Sequence, residues 1–253
     1  MLVYTDMSSP DVPERSGFDP KGPASVEAEN PYFKVLSQPM DFVDPHTGMV
    51  RQSAEEGGRM NYIDMKPGVQ IVADLDGKGT LLIPQQRFVT NQVFGKPVSH
   101  YELPGGGVEA HDTGHGIESD EAAVIEAARR EFGEESGFEA DDYLLVASPH
   151  GLMTHSGVSL HHTFTVIARG VKRRTDGALP EASEIIHPPE AFTWGETRQM
   201  YMTKDGLIIP NRRPIIISSA NTVTSLVIAQ YALEELRSLG TTVIDLKNSD
   251  PQK

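Results

Sequence analysis

A basic side chain and three acidic ones stand close together in the middle of the chain, on a segment with the pattern of a helix. Arg130 precedes Glu131, Glu134 and Glu135, and Gly137 follows them. On a helix Glu131 and Glu135 occupy positions i and i+4, where their carboxylates share one face and repel each other. A hard divalent cation held by oxygen atoms would compensate that repulsion. The spacing therefore indicates a metal site.

The helix that carries these acids is predicted to begin near Ser119, whose hydroxyl group can cap it, and to end at Ser136. Gly137 can adopt the left-handed conformation that commonly follows a helix. A glycine-rich turn at residues 105–107 precedes the helix and follows the strand-like segment HYELP. Three apolar residues repeat at helical spacing and should form the buried stripe of the helix: Val124, Ala128 and Phe132.

Strand patterns lie on both sides of this helix. Before it, VQIVADL and TLLIPQQRF flank the turn DGKG and are predicted to form a hairpin of mostly buried strands. After it, YLLVAS and SLHHTFTVIARGV are typical of strands, and a second helix is predicted from a cap at Asn221 or Thr222 to Gly240. Strands around one helix, with a late helix to cover the other face, predict an α/β fold, namely an α/β/α sandwich on a mixed sheet.

The rest of the chain divides by composition. Residues 1–31 contain five prolines among polar residues, which predicts an extended or disordered arm. Residues 32–66 carry short strand patterns separated by turns, which predicts a small N-terminal β unit. The main domain is expected at residues 67–246, followed by a short tail at residues 247–253.

The composition of the 253 residues excludes several classes of function. A net charge of -14 argues against binding to nucleic acid or to an anionic membrane, because both need a basic surface. The chain has no cysteine, which excludes disulfides, thiolate metal sites and cysteine nucleophiles. The N-terminal segment lacks the pattern of a signal peptide, and no stretch approaches the roughly 20 apolar residues of a membrane span. A cytoplasmic protein is therefore expected.

The segment REFGEESGF, residues 130–138, fits the pattern R-E-U-x-E-E-x-G-U at every fixed position, where U is a bulky apolar residue. This pattern is the second half of the Nudix box, and the chain resembles the Nudix hydrolases in it. The resemblance implies the Nudix fold, which is an α/β/α sandwich. It also implies a reaction, the hydrolysis of a nucleoside diphosphate that is linked to another group.

The same resemblance implies roles for the acids. Glu131 and Glu135, assisted by Glu134, would bind Mg²⁺ or Mn²⁺, and Glu134 is also a candidate catalytic residue. A backbone carbonyl of Gly105 or Gly106 would complete the metal site. This assignment agrees with the chemistry of Mg²⁺, which prefers oxygen ligands from a few carboxylates together with substrate phosphate.

The first half of the box departs from the family pattern. Gly106 and Arg130 are ten residues further apart than the box allows, and the position of the box glutamate, counted back from Arg130, falls on Ala122. Glu118 or Glu126 can take the structural role of that glutamate, which is to pair with the arginine. Glu126 and Arg130 have the favourable i, i+4 spacing. The inserted residues are expected to reshape the mouth of the pocket.

Several segments outside the box resemble the ADP-ribose pyrophosphatase group of this family. They are the β unit at residues 32–66, which in that group commonly builds a homodimer, and the segments LLIPQQRF, ELPGGGVE and ASPHGL. Two residues depart from the group: Gln86 stands where tyrosine is typical, and His150 is inserted. The resemblance implies a homodimer that takes ADP-ribose or a related nucleotide sugar. GDP-sugars and dinucleotides are the alternative substrates.

Further residues are candidates for contact with the substrate or the attacking water. Glu181 and Glu184 lie where the ADP-ribose pyrophosphatase group keeps its loop glutamates. Glu184 is the first choice for the catalytic base, against the alternative of a solvated loop acid. Arg87 offers a bidentate fork to phosphate or ribose, although a surface salt bridge fits it equally. Glu102 and Gly106 complete the candidate substrate contacts.

Two classes of function stand ahead of a third, which is a structural role with an incidental acidic helix. One is a Mg²⁺-dependent Nudix pyrophosphohydrolase that produces AMP, or another nucleoside monophosphate, and a sugar phosphate. The other is a non-catalytic module of Nudix fold that binds a nucleotide ligand. Non-catalytic relatives generally lose acids of the box, whereas this chain keeps Glu131, Glu134 and Glu135. The enzyme is therefore the favoured hypothesis.

Overall fold

A computed structural model gives the architecture of most of the chain. It describes residues 18–30, 33–44, 47–85, 99–109, 121–146, 152–153, 162–178, 187–203, 205–217 and 219–238. The described residues divide into two compact units, with the boundary between Met65 and Lys66. This boundary lies within one residue of the division between residues 32–66 and 67–246 that the sequence suggested.

The N-terminal unit is a sheet built around one long strand. That strand, β3, pairs antiparallel with four shorter strands on its two edges. The strands are β1 (Phe18–Pro20), β2 (Ser25–Glu29), β3 (Phe33–Val43), β4 (Val50–Gln52) and β5 (Arg59–Met65).

Strands β1 and β2 lie inside the segment that composition predicted to be an unpacked arm. Backbone pairing explains the difference, because β3 has edges that need hydrogen-bond partners. Side chains reinforce this pairing: the Phe18 and Phe42 rings meet edge to face at 5.8 Å, and the Ser25 hydroxyl donates to the Ser37 carbonyl at 3.1 Å. Residues 18–20 and 25–29 are thus extended and exposed, as one of the two predicted alternatives has it, but their backbone pairs with β3.

The second unit contains two mixed sheets. In the first sheet the strand order is β11-β13-β6-β9, with β12 beside β13, and β6 and β13 run parallel. Its strands are β6 (Gly68–Ala73), β9 (Gly105–Gly107), β11 (Asp142–Val146), β12 (Leu152–Met153) and β13 (His162–Arg169). In the second sheet the order is β15-β7-β8-β16, and β8 and β16 run parallel. Its strands are β7 (Gly79–Gln85), β8 (Ser99–Glu102), β15 (Glu190–Thr193) and β16 (Ile215–Ile216).

The predicted hairpin of VQIVADL and TLLIPQQRF is wrong, because these segments, β6 and β7, belong to different sheets. Both edges of β6 are already occupied, one by β13 and the other by β9. The Asp74 N–H continues the pairing with β13 by donating to the Ala168 carbonyl at 2.8 Å. A tight turn with positive φ at Asp76 and Gly77 then leads the chain into the second sheet.

In the part of the chain that the structure describes, three helices cover the first sheet and close the second. They are α1 (Glu121–Glu131), which continues as a π-helical turn (Phe132–Ser136), α2 (Trp194–Met202) and α3 (Ala220–Ser238). The predicted cap residue Thr222 lies within the first turn of α3, and its N–H donates to the Ser219 hydroxyl at 3.4 Å. A short strand pair, β10 (Phe138–Glu139) with β14 (Lys172–Arg173), follows the π-helical turn. Within the described residues, no helix is long and apolar enough to cross a membrane.

The two faces of the first sheet pack against different helices. Alternate residues of β6 separate the two cores, because Val69 and Ile71 pack with α1 whereas Val72 packs with α3. The predicted stripe of α1 is fully buried in the first core, which lies between α1 and the first sheet; its residues are Val124, Ala128 and Phe132. The second core also contains apolar side chains of the second sheet. The predicted α/β/α arrangement on a mixed sheet is confirmed.

A buried tyrosine ties the second sheet to the loop before β16. The Tyr101 hydroxyl donates to Glu190 Oε1 at 2.6 Å, and the Arg212 guanidinium binds both oxygens of Glu190 at 2.7 and 2.8 Å. Hydrogen bonds from Arg212 hold the pKa of Glu190 below its usual range. Burial raises the pKa of the Tyr101 phenol to about 12, and the Glu190 carboxylate acts in the same direction.

Candidate active site

The glycine strand β9 holds one acid of the helix directly. The Gly105 N–H donates to Glu135 Oε2 at 2.7 Å, and the Glu135 side chain is almost completely buried. Gly105 in turn lies against β6 so closely that a Cβ there would overlap the Val69 carbonyl oxygen. The absence of a side chain at position 105 is therefore what brings this N–H to the carboxylate.

The second acid lies over the next glycine. A Cβ at position 106 would lie 2.6 Å from Glu131 Oε2 and would overlap Oε1. The carboxylate of Glu131 thus occupies the space that any side chain at Gly106 would need. Glycine at 106 permits this close approach, and the two successive glycines each accommodate one carboxylate.

Arg130 compensates the negative charge of the acids. Its Nη1 lies 2.8 Å from Glu131 Oε1 and 3.1 Å from Glu134 Oε2, and its Nη2 donates to the Gly107 carbonyl at 3.0 Å. The predicted pair between Glu126 and Arg130 is not formed, although both side chains are described. Glu126 instead approaches Arg129, with Oε1 3.5 Å from Nε, and is largely exposed.

The acids lie where the helix changes its pitch. Glu134 and Glu135 belong to the π-helical turn Phe132–Ser136, a wider turn that is frequent at functional sites. Gly137 ends it in the left-handed conformation, with φ of 71°, and donates its N–H to the Gly133 carbonyl at 3.1 Å. The left-handed cap predicted at Gly137 is confirmed, whereas the π-helical geometry was not anticipated.

A cavity of about 500 Å³ opens beside this end of the helix. It is bounded by residues 135–137, by the loop at 173–178 and by residues 187–189. In the loop, Arg174 binds Asp176 through two bonds of 2.8 and 2.5 Å, and this carboxylate raises the pKa of the guanidinium. Arg174 was not among the predicted site residues, because nothing in the local sequence distinguishes it from a surface arginine.

Glu102 is held by a histidine that the sequence analysis also missed. Glu102 Oε1 lies 2.8 Å from His100 Nε2, and both side chains are mostly buried. The two residues alternate along β8 and therefore point to the same face. The motif H-x-E in a strand just before the glycines was the available signal.

Comparison with known proteins decides the family. The sequence profile of the NUDIX domain matches residues 64–206, more than half of the chain. The chain belongs to the Nudix family. The Nudix hydrolase family predicted from the acid helix is therefore confirmed.

A solved structure and a sequence comparison complete this result. The crystal structure of an ADP compounds hydrolase is similar, with a TM-score of 0.55 and 19% identity, over 84% of this chain and 92% of the other. At this identity the likeness supports the Nudix fold. No curated protein sequence matches the chain.

Several of the residues predicted from the Nudix resemblance fall outside the described part of the chain. Arg87, Glu181 and Glu184 are among them, as are Ser119 and most of the insertion in the Nudix box. Their roles therefore stay predictions. Ala178 and His187, the described residues on either side of Glu181 and Glu184 in the sequence, both line the cavity.

The donor set of the Nudix helix fits Mg²⁺ chemically. Glu131, Glu134 and Glu135 offer oxygen atoms only, and Mg²⁺ usually binds one or two carboxylates together with waters and substrate phosphates. Within the described residues no three acidic, histidine or cysteine side chains converge as a preformed cage. Gly105 contributes through its N–H, so a ligating carbonyl from Gly105 or Gly106 stays a prediction.

Proposed function

We propose that this Nudix protein is a metal-dependent pyrophosphohydrolase that cleaves a nucleoside diphosphate linked to another moiety. ADP-ribose or a related nucleotide sugar is the proposed substrate, and AMP or another nucleoside monophosphate and a sugar phosphate are the products. The proposal rests on one observation, the placement of Glu131 and Glu135 against the glycine strand. An acidic surface helix without a function would not need two carboxylates in such confined positions.

The candidate residues would have two roles in the reaction, which are to bind the metal ion and to accept the proton of the attacking water. Glu131 and Glu135 would hold Mg²⁺, or Mn²⁺ as the alternative, with Glu134 assisting. Such an ion, when bound, would offset the charge of the diphosphate and lower the pKa of the attacking water. Water adds to one phosphorus, the anhydride P–O bond breaks, and the water proton passes to a base, for which Glu184 is the first choice and Glu181 the second.

The choice of an ADP-ribose-like substrate has two supports. The segments LLIPQQRF, ELPGGGVE and ASPHGL resemble the ADP-ribose pyrophosphatase group, and a protein of similar fold is an ADP compounds hydrolase. Arg87, Glu102 and Gly106 are the proposed substrate contacts. For Glu102, the bond to His100 would fix the carboxylate in one orientation towards a hydroxyl or amino group. GDP-sugars and dinucleotides are the alternative substrates.

A non-catalytic binding module is the rival function. Such a module would need to recognise the diphosphate without activating water, and it could do so without confined carboxylates. The retention of Glu131, Glu134 and Glu135, together with Arg130 between them, favours the enzyme.

We also infer that the protein is a homodimer joined through its N-terminal β unit. The described part of that unit carries several exposed apolar side chains, which a second copy would cover. They are Phe18, Val26, Met49 and Val50.

The experiment is a substrate panel with Mg²⁺ or Mn²⁺ on the wild type and on two variants. Glu135→Gln removes the charge of a proposed ligand and should lower kcat/KM at least about 100-fold, since even outer partners of metal sites contribute about 10- to 100-fold. Glu121→Gln is the matched control, because it removes an exposed acid from the same helix. Hydrolysis of no nucleoside diphosphate derivative by the wild type would reject the enzyme. Equal activity in Glu135→Gln would reject the ligand assignment.

A further inference from the structure

Buried hydroxyl groups lie between α3 and the first sheet, on a face that is otherwise apolar. Thr222 and Ser225 are at most 1% exposed, as is Thr165 on β13. Thr165 and Ser225 bond each other at 2.8 Å, and the Thr222 hydroxyl donates to Gln70 Oε1 at 3.1 Å. Apolar side chains at these positions would pack against the surrounding core without needing any hydrogen bond. The hydroxyls therefore require a reason other than burial.

These hydroxyl groups contact a row of paired residues that crosses the first sheet and ends at the glycine strand, β9. In the register of the sheet, Gln70 is paired with Thr165 on one side and with Gly105 on the other. Paired residues of neighbouring strands point to the same face, so Gln70 and Thr165 both face α3. The bond from Thr222 reaches the strand next to β9, whereas the bond from Ser225 reaches the strand on the far side.

The side chain of Gln70 is in contact with the backbone of Gly105. A Cβ at position 105 would lie 2.8 Å from Gln70 Nε2, so the amide group fills the space beside the Gly105 Cα. Thr222 holds the other end of that amide, Oε1. Gly105 then donates its N–H to Glu135 Oε2 at 2.7 Å. A continuous set of contacts thus leads from α3 to an acid of the Nudix helix.

We infer that Thr222 and Gln70 are positioning residues that fix the glycine strand and, through Gly105, the carboxylate of Glu135. The inference rests on the proposed function in that Glu135 is taken as a metal ligand. Loss of the Thr222 hydroxyl leaves the Gln70 amide without this donor, so that the amide can rotate away from Gly105. The N–H of Gly105 then no longer holds Glu135 in a single position, and the affinity for a divalent ion falls.

The test measures two quantities for each variant. One is the affinity for Mn²⁺ without substrate, obtained from the electron paramagnetic resonance signal of free Mn²⁺. The other is the temperature of unfolding. Thr222→Val keeps the shape of the side chain and removes the hydroxyl. We expect Mn²⁺ to bind about three- to tenfold more weakly, the effect of one hydrogen bond. Thr222→Ser keeps the hydroxyl and should restore the affinity of the wild type. Ser225→Ala should lower the unfolding temperature and leave Mn²⁺ affinity within about twofold of the wild type, since its bond leads away from β9.

A double-mutant cycle checks the order of the contacts. Gln70→Met should weaken Mn²⁺ binding about as much as Thr222→Val, and the double variant should bind no more weakly than either, because both changes break one connection. Wild-type affinity in Thr222→Val, or an equal loss of affinity in Ser225→Ala, would overturn the inference alone. A wild-type protein that binds no Mn²⁺ would overturn the proposed metal site and this inference together.

Discussion

At the scale of single residues, Gly106 and Glu131 compete for one volume. Gly106 has an ordinary negative φ, so alanine fits its backbone, but the added methyl group would push the Glu131 carboxylate away. The carboxylate is the end of a flexible side chain and can move without unfolding the protein. We expect Gly106→Ala to stay folded and to lose about 10- to 100-fold in kcat/KM, because small misplacements of reacting groups have effects of this size. Steady-state kinetics and circular dichroism would measure both.

The neighbouring glycine supplies the comparison for that substitution. A Cβ at Gly107 would meet Glu109 Oε1 at 3.4 Å, an ordinary contact, so Gly107→Ala should change kcat/KM less than about threefold. An equal loss in both variants would show that the strand, and not the displaced carboxylate of Glu131, is responsible.

At the scale of elements, the end of the acid helix depends on Gly137. Its φ of 71° is unfavourable for residues with a Cβ, and a Cβ there would lie 2.7 Å from the Ala178 backbone nitrogen. We expect Gly137→Ala to lower the free energy of unfolding by about 1–3 kcal/mol, measured by urea denaturation. Gly177→Ala separates the two causes, because Gly177 has φ of 74° and open space around it. If Gly177→Ala destabilises the protein as much as Gly137→Ala, the contact with Ala178 has no effect.

The alkaline stability of the second sheet should depend on Tyr101. Burial raises the pKa of its phenol to about 12, whereas a tyrosine in the unfolded chain titrates near about 10. Between these values the unfolded chain loses the proton that the folded protein keeps, so stability falls as pH rises. Tyr101→Phe lacks this titrating group. Between about pH 9 and about pH 11, the free energy of unfolding of the wild type should therefore fall by about 1 kcal/mol more than that of Tyr101→Phe.

The measurement is urea denaturation of both proteins at the two pH values. Burial also raises the pKa of Tyr143, but that residue is present in both proteins and its contribution cancels. Equal changes in stability in wild type and Tyr101→Phe would contradict the proposed titration of Tyr101.

Sequence patterns predicted elements well where a single face is buried and poorly where strands must find distant partners. The period of Val124, Ala128 and Phe132 and the glycine at 137 are local properties, and both predictions are confirmed. The hairpin failed because a tight turn between two apolar strands does not reveal that β13 and β9 occupy both edges of β6. The strands at residues 18–29 were missed for the same reason, since β3 supplies their partner.

At the scale of the whole molecule, the sequence identifies the acids that are proposed as metal ligands, but not the contacts that hold them. The box motif selects Glu131, Glu134 and Glu135 by identity. The contacts of these acids were not predicted: Gly105 holds Glu135 through a backbone N–H, and Arg130 pairs with Glu134 rather than with Glu126. Neither a backbone donor nor the rotamer of a side chain can be read from the order of the residues, so these contacts are known only from the structure.

The assembly proposed for the whole molecule has a simple test. A homodimer should have twice the chain mass of 27.7 kDa in light scattering at all concentrations that allow detection. Val26→Lys places a charge on the exposed face of the N-terminal unit and should reduce the mass. Val227→Lys, on the equally exposed face of α3, should not. A wild-type mass of one chain would overturn the proposal.

Because β6 lies between β9 and β13, its two edges find their partner strands at different times during synthesis on the ribosome. Gly105–Gly107 emerges soon after Gly68–Ala73, but β13 emerges only after the acid helix and β11 have been made. At about 5–20 residues per second, this delay lasts several seconds. During it one edge of β6 presents open N–H and C=O groups, which can pair with another chain. Until β13 has been made, the first sheet is therefore incomplete on one edge of β6, although the acids of the helix have already been synthesised.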